Sequence, residues 1–177
     1  MRKMKNMMIG ILIAILIAAF SQPLIEFMFV INESVALDSA VRNSCRAARN
    51  NALASFEYYS SDLVMGDLNA YIEGEEFRRF FAEAFSETLG VGIIDASSNP
   101  MKFEENERWN KITVWVDYDY GDSGEFEGRG VSKATIEVET PYKFRTSLLQ
   151  IAAEVSAGTY NLGERGAPVT FFVQIVN

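Results

Sequence analysis

The chain has 177 residues, of which 49% are hydrophobic and 23% are charged, a balance typical of a globular protein rather than of a disordered chain. It contains no histidine and one cysteine, which excludes Ser-His-Asp and Cys-His catalysis, His-ligated metal sites, an intrachain disulfide and a thiolate zinc cluster. The formal net charge is −8, and all but one of the 24 acidic residues lie after position 31. So acidic a domain argues against binding to nucleic acid or to an anionic membrane surface.

The N-terminal part of the sequence predicts a membrane anchor. An apolar run from Met7 to Ile31 follows the basic residues Arg2, Lys3 and Lys5 and contains one charge, Glu26. An α-helix rises about 1.5 Å per residue, so the run reaches about 37 Å and crosses a hydrocarbon core of about 30 Å. Because basic residues favour the cytoplasmic side, we expect residues 1–31 to form a cytoplasmic tip and a single transmembrane helix. Residues 32–177 are then an extracytoplasmic domain of a cell-membrane protein.

A cleaved secretory signal is the alternative interpretation of this run. The stretch Met7–Phe20 has the length of a signal's apolar region, and Ala19-Phe20-Ser21 is compatible with a cleavage site. Hydrophobicity resumes at Leu24-Ile25, however, and a signal peptide does not usually need a second apolar block. The pattern therefore favours a retained helix, and both interpretations carry the remainder of the chain across a membrane.

Two residues interrupt the apolar run. Pro23 removes a helix hydrogen bond and predicts either a kink or the end of a shorter signal helix. Glu26 is the second, because a carboxylate at the centre of a bilayer costs roughly 3 kcal/mol. It lies about 10 Å from the midpoint of the run. Two interpretations remain open: a carboxylate at the level of the membrane interface, or a polar contact with a partner helix in the membrane.

Helical periodicity continues beyond the anchor. Small and apolar residues recur every three or four positions: Leu37, Val41, Cys45, Ala48, Ala52 and Phe56. We predict one helix from about Met7 to Tyr58, in which residues 32–58 lie against the domain and Cys45 is a buried thiol. A second helix, Glu76–Leu89, carries a phenylalanine-rich face and stops at Gly90. Residues 60–75, between the two helices, are predicted to form a loop.

The second half of the sequence predicts an antiparallel sheet. Apolar residues alternate with polar ones in Ile112–Tyr118 and in Ala134–Glu139, which is typical of strands with one wet face. Gly121–Gly130 joins them as an acidic hairpin loop. A short amphipathic helix at Thr146–Ser156 and a terminal strand at Val169–Val176 complete an α+β fold.

The acidic loop is the best candidate for a cation site, and it fits poorly. Five carboxylates occur within eleven residues: Asp117, Asp119, Asp122, Glu125 and Glu127. Oxygen ligands suit calcium. The calcium-loop pattern nevertheless requires Gly at its sixth position and Glu at its twelfth, where this chain has Asp122 and Gly128. A solvated acidic loop is the preferred interpretation. We expect no enzyme activity, no cofactor and no metal.

Two regions carry short motifs found together in a known family. The N-terminal motifs are Leu24-Ile25-Glu26-Phe27, Ala36–Arg42 and Cys45–Ala48; the C-terminal motifs are Ile136-x-Val138, the turn Pro141-Tyr142, Phe144 and Leu148-Leu149. Both regions resemble TadE-like proteins, which are pilin-like accessory proteins of tight-adherence pilus systems. The likeness covers roughly residues 7–58 and 132–177. It implies a pilin-like fold, a role of Glu26 at the membrane end of the helix and a structural role for Pro141 and Tyr142. The chain departs from the pilin cleavage pattern, because Ile15 stands where Glu should follow Gly10.

These observations lead to one preferred function and two alternatives. We expect a minor pilin-like structural or assembly component of an envelope-spanning pilus or secretion apparatus. Its partners would be other pilin-like subunits or platform proteins, reached through helix–helix contacts at Glu26 and Pro23. The first alternative is a membrane-anchored extracytoplasmic module that binds or senses a ligand. The second, an envelope hydrolase, is disfavoured by the absence of histidine.

Overall fold

The computed structural model describes residues 2–60, 72–120, 131–146, 149–151, 161–162 and 169–172. Side chains are described for these residues except 2–5, 54–60, 161 and 169–172. The predicted loop centre at 61–71 and the acidic loop at 121–130 lie outside the described residues. So do residues 173–176 of the predicted terminal strand and most of the predicted helix Thr146–Ser156.

The dominant element is one continuous helix, α1, at Arg2–Ser60. Pro23 lies inside it without ending it, so the predicted continuous helix is confirmed at this position. Side chains from Asn6 to Phe20 are exposed on all sides, whereas one face becomes buried from Glu26 onward. Among the described residues, α1 is the one helix long and apolar enough to cross a membrane.

The second helix, α2 at Gly74–Leu89, packs along the C-terminal half of α1. Its apolar face buries Phe77, Phe81 and Phe85, whose rings follow one another at centroid distances of 6.4 and 5.5 Å. The helix ends at Gly90, where φ is +64° and the backbone N–H donates to the Ser86 carbonyl. Glycine takes this left-handed conformation without steric cost, so the predicted stop is confirmed.

Small residues on α1 create the space for these rings. The buried stripe comprises Leu37, Ala40, Val41, Cys45, Ala48 and Ala52. The spacing predicts all of these except Ala40, and the side chain of Phe56, which it also predicts there, lies outside the described side chains. Cys45 is fully buried, and burial raises its pKa to about 12. A thiol in this environment stays protonated and unreactive, which confirms that Cys45 is part of the core.

Six antiparallel strands are present in the described residues. They are β1 at Ile93–Asp95, β2 at Met101–Phe103, β3 at Ile112–Tyr120, β4 at Val131–Pro141, β5 at Asn161–Leu162 and β6 at Val169–Phe172. The order is β1-β2-β3-β4, and β5 and β6 pair with different stretches of β4. The β3–β4 ladder runs from Thr113 opposite Glu139 to Tyr120 opposite Val131. Strand β2 escaped prediction because three residues are too few to show an alternating pattern.

The core lies between the two helices and one face of this sheet. Alternate residues of the long strands point inward, namely Ile112, Val114 and Val116 from β3 and Ala134, Ile136 and Val138 from β4. Trp109 and Phe103 close the end near the C-terminus of α2, where the Phe85 and Phe103 rings are 4.9 Å apart. The α+β class is confirmed, with a long apolar N-terminal helix and a small antiparallel sheet.

Ala48 tests the close approach of α1 to the domain. Ala48→Leu forces three extra heavy atoms into a position with no exposed surface and should lower the free energy of unfolding by about 1–3 kcal/mol. Asn51→Leu, on the exposed side of the same helix, should change it by less than about 0.5 kcal/mol. Denaturant titration of the full chain in detergent measures both. Equal effects would contradict the packing of α1 described above.

Tyr118 makes the stability of the fold depend on pH in the alkaline range. Its hydroxyl donates to the Gly74 carbonyl at 2.8 Å, and burial raises its pKa from 10.0 to about 12. The stabilisation is complete below pH 10 and is lost as the pH rises towards 12, because the phenolate cannot donate. Tyr118→Phe should cost about 1 kcal/mol at pH 8, and this difference from wild type should shrink above pH 10. A difference that stays constant in titrations between pH 8 and 11 would contradict this assignment.

Candidate functional site

The carboxylate of Glu26 is buried against the domain rather than exposed on the helix surface. The residue is 3% exposed, and three donors meet its side chain. Oε1 accepts hydrogen bonds from the Tyr142 hydroxyl at 2.7 Å and from the Arg145 backbone N–H at 2.8 Å. Oε2 accepts one from the Thr146 backbone N–H at 3.0 Å. The charge that makes Glu26 costly in an apolar helix is therefore compensated within the chain.

The segment after β4 is built to supply these donors. Strand β4 ends at Pro141, and the next residue, Tyr142, is buried. A helical turn then starts at Thr146, whose carbonyl accepts hydrogen bonds from the N–H groups of Leu149 at 3.1 Å and Gln150 at 3.0 Å. The first N–H groups of a helical turn have no partner within it, and a carboxylate placed there is stabilised. Glu26 thus caps a turn that lies about 120 residues later in the sequence.

Glu33 is a second buried carboxylate, two turns further along the same face of α1. It is 1% exposed and pairs with the Arg145 guanidinium, while Arg108 Nε lies 3.8 Å from its Oε1. The Arg145 guanidinium also lies 4.8 Å from the centre of the Phe29 ring. We call Glu26, Glu33, Arg108, Tyr142 and Arg145 the carboxylate cluster. Arg145 joins its two halves, through its backbone to Glu26 and through its side chain to Glu33.

The carboxylate cluster acts as a structural contact between α1 and the domain. Burial and the hydrogen bond to Glu26 raise the pKa of Tyr142, so its hydroxyl remains a donor. Glu26 accepts three hydrogen bonds and Glu33 pairs with Arg145, and buried polar contacts of this kind fix one geometry. The cluster therefore holds the domain at a defined position and angle on α1.

The structure brings together three of the four residues selected from the sequence. Glu26 and Tyr142 are bonded directly, and Pro141 ends the strand that delivers Tyr142. Pro23 is exposed on α1, one turn before Glu26. The predicted contact of Glu26 and Pro23 with a partner helix is not tested by a single chain and stays a prediction.

Sequence reasoning missed Glu33, Arg108 and Arg145. A signal for Glu33 was present, since a spacing of seven residues from Glu26 places both carboxylates on one helix face. No comparable signal marked the arginines, because their pairing depends on the fold of segments more than 70 residues away.

The face of α1 opposite Glu26 and Glu33 is apolar and exposed. Leu24, then Phe27 and Met28 together, then Ile31 and Val35 recur every three or four residues, which places them on one side of the helix. We call them the apolar stripe: Leu24, Phe27, Met28, Ile31 and Val35, which are 48–70% exposed. The stripe ends where Asp38 and Arg42 form an exposed ion pair at 2.9 Å.

The other candidate sites are the acidic residues predicted as a cation site and a groove beside α2. Asp119 pairs with Lys133 at 2.8 Å, whereas Asp122, Glu125 and Glu127 lie outside the described residues. Within the described part of the chain, no three potential ligands are grouped as a metal site. A groove of about 460 Å³ lies between the first turn of α2 and residues 96–97, and it is lined by acidic side chains such as Glu76 and by Arg78 and Arg79.

Arg145 tests the carboxylate cluster. Arg145→Met leaves Glu33 buried with Arg108 alone and should lower the free energy of unfolding by about 2–3 kcal/mol. Adding Glu33→Leu removes the unpaired charge and should recover most of that loss. Arg42→Met, which breaks an exposed pair, should cost less than about 0.5 kcal/mol. A double variant no more stable than Arg145→Met would show that Glu33 is not the group Arg145 compensates.

Comparisons with known proteins return no match. No family model, no curated protein and no solved structure is similar to this chain at a significant level. The TadE-like resemblance therefore rests on the short motifs quoted above, and the pilin-like fold and pilus function it implies remain proposals. The contacts of the chain itself carry the functional inference: a domain fixed on one face of α1 and an apolar stripe on the other.

Proposed function

We propose that this protein is a structural or assembly component, of minor pilin-like type, in an envelope-spanning pilus or secretion apparatus. The observation that carries the proposal is the apolar stripe, which remains exposed on α1 opposite the carboxylate cluster. The basic tip and apolar run support a single membrane span with the domain outside the cytoplasm. In this arrangement the domain positions the helix, and the stripe is its surface for association.

The length of the apolar surface that α1 exposes from Met7 to the end of the apolar stripe supports a protein partner in addition to lipid. From Met7 to Val35 the helix rises about 42 Å, which exceeds a hydrocarbon core of about 30 Å. Ile31 and Val35 are 48% and 60% exposed. With Met7 at the inner boundary of the hydrocarbon, both side chains lie beyond its outer boundary. Exposed apolar side chains in a row beyond the lipid are typical of a helix–helix interface.

The proposal moves the association surface away from Glu26. The Glu26 carboxylate has three intrachain donors, so a partner helix would compete with Tyr142, Arg145 and Thr146 for it. Glu26 then acts as a positioning residue that sets the orientation of the stripe relative to the domain. Pro23 is exposed next to the stripe and remains available to a partner.

Substitutions in the stripe test this function. Burying an isoleucine side chain contributes about 2 kcal/mol, so Ile31→Glu should weaken association at least about tenfold while the domain stays folded. Asn32→Glu adds the same charge at the neighbouring exposed position, off the stripe, and should leave association unchanged. In membranes of the native host, a cysteine at Val35 should crosslink to a neighbouring helix and a cysteine at Asn32 should not. Equal crosslinking at both positions would contradict a specific interface.

The alternative is a membrane-anchored module that binds or senses a ligand. The groove beside the first turn of α2 supports it, because charges of both signs line a concave surface there. In that case Ile31→Glu should leave function intact, while charge reversal at Arg79, which lines the groove, should abolish it. The two proposals therefore make opposite predictions for one pair of variants.

A further inference from the structure

The depth of Glu26 in a membrane follows from the helix that carries it. Lys5 and Glu26 are 21 residues apart in the unbroken helix α1, which corresponds to about 31 Å. A hydrocarbon core is about 30 Å thick. With Lys5 at the cytoplasmic interface, Glu26 lies at the outer edge of the hydrocarbon, where a carboxylate and its donors meet the lipid headgroups.

The carboxylate cluster brings part of the domain to this depth. Glu26 accepts the backbone N–H groups of Arg145 and Thr146, so the helical turn that starts at Thr146 begins at the membrane interface. Ile151 follows five residues later, within about 8 Å along a helix. The headgroup layer is about 5–7 Å thick on each side, so Ile151 is within reach of lipid.

The side chain of Ile151 fits a lipid surface. It is 61% exposed, more than Ile93, Ile94 and Tyr120, the other large exposed hydrophobic residues of the described domain outside α1. An exposed apolar side chain at this depth can enter the boundary between headgroups and acyl chains, where interfacial contacts bury their apolar side chains.

We propose that the extracytoplasmic domain rests on the outer leaflet, with Ile151 inserted at the boundary between headgroups and acyl chains. The proposal rests on the membrane placement of α1 in the proposed function. The acidic charge of the domain as a whole gives no attraction to an anionic surface. The contact forms because α1 tethers the domain at this depth, which removes the entropic cost of bringing it to the membrane.

Spin-label accessibility tests the contact in the full chain, reconstituted in phosphatidylcholine vesicles. Single cysteines at Leu16, Tyr120 and Ile151 carry the label, and the native Cys45 is buried and stays unlabelled. Collision with oxygen, which enters lipid, is compared with collision with a nickel chelate, which stays in water. Tyr120 is the control for Ile151, because it is another exposed hydrophobic position in the domain. It pairs with Val131, and Val131 is at the end of β4 that lies about 33 Å from Pro141.

The expected order of the oxygen-to-nickel ratio is Leu16 highest, Ile151 intermediate and Tyr120 lowest. Wild type without added cysteine gives the background. If Leu16 reports lipid while Ile151 is as accessible to nickel as Tyr120, the membrane contact is wrong and the membrane span stands. If Leu16 itself reports water, the span is wrong, and the proposed function and this contact fall together.

Discussion

The structure depends on the pairing of two carboxylates that an apolar helix cannot carry uncompensated. Glu26 and Glu33 lie on one face of α1 and are 3% and 1% exposed. Their partners come from the segment after β4 and from Arg108, which precedes β3. A buried charge that loses its partner costs several kcal/mol, roughly a third or more of the stability of an ordinary domain. The domain can therefore occupy one position on α1, and other positions would leave a carboxylate unpaired.

This constraint gives α1 two distinct faces. The face with Glu26, Glu33 and the small residues around Cys45 is covered by the domain, and its fit against the α2 phenylalanines is close because those residues are small. The opposite face carries the apolar stripe up to Val35 and becomes polar at Asp38. The carboxylate cluster fixes the domain on one face of α1, and the apolar stripe on the other face stays exposed. This arrangement suits a component that presents an association surface in a fixed orientation relative to its domain, which is the basis of the proposed function.

Much of the fold could be predicted because its signals are local. The helical period of residues 37–52, the glycine after Leu89 and the alternation in β3 and β4 each report burial within a few residues, and the structure agrees with all three. The carboxylate cluster could not be predicted to the same extent. Glu26 stood out as a charge in an apolar run, but its interpretation needed a contact made across about 120 residues. Arg108 and Arg145 look like ordinary surface charges until the fold brings them to Glu33.

Amide hydrogen exchange at Arg145 and Thr146 reports most directly whether Glu26 holds the domain on the helix. Both N–H groups donate to the Glu26 carboxylate, so they should exchange slowly in the full chain in lipid nanodiscs. In Glu26→Ala they should exchange at least about tenfold faster, since each lost hydrogen bond to a charged acceptor corresponds to about 1.5–3 kcal/mol. Protection in core strand β3 should be nearly unchanged. Rapid exchange of both amides in the wild-type protein, or equal protection with and without Glu26, would contradict the account.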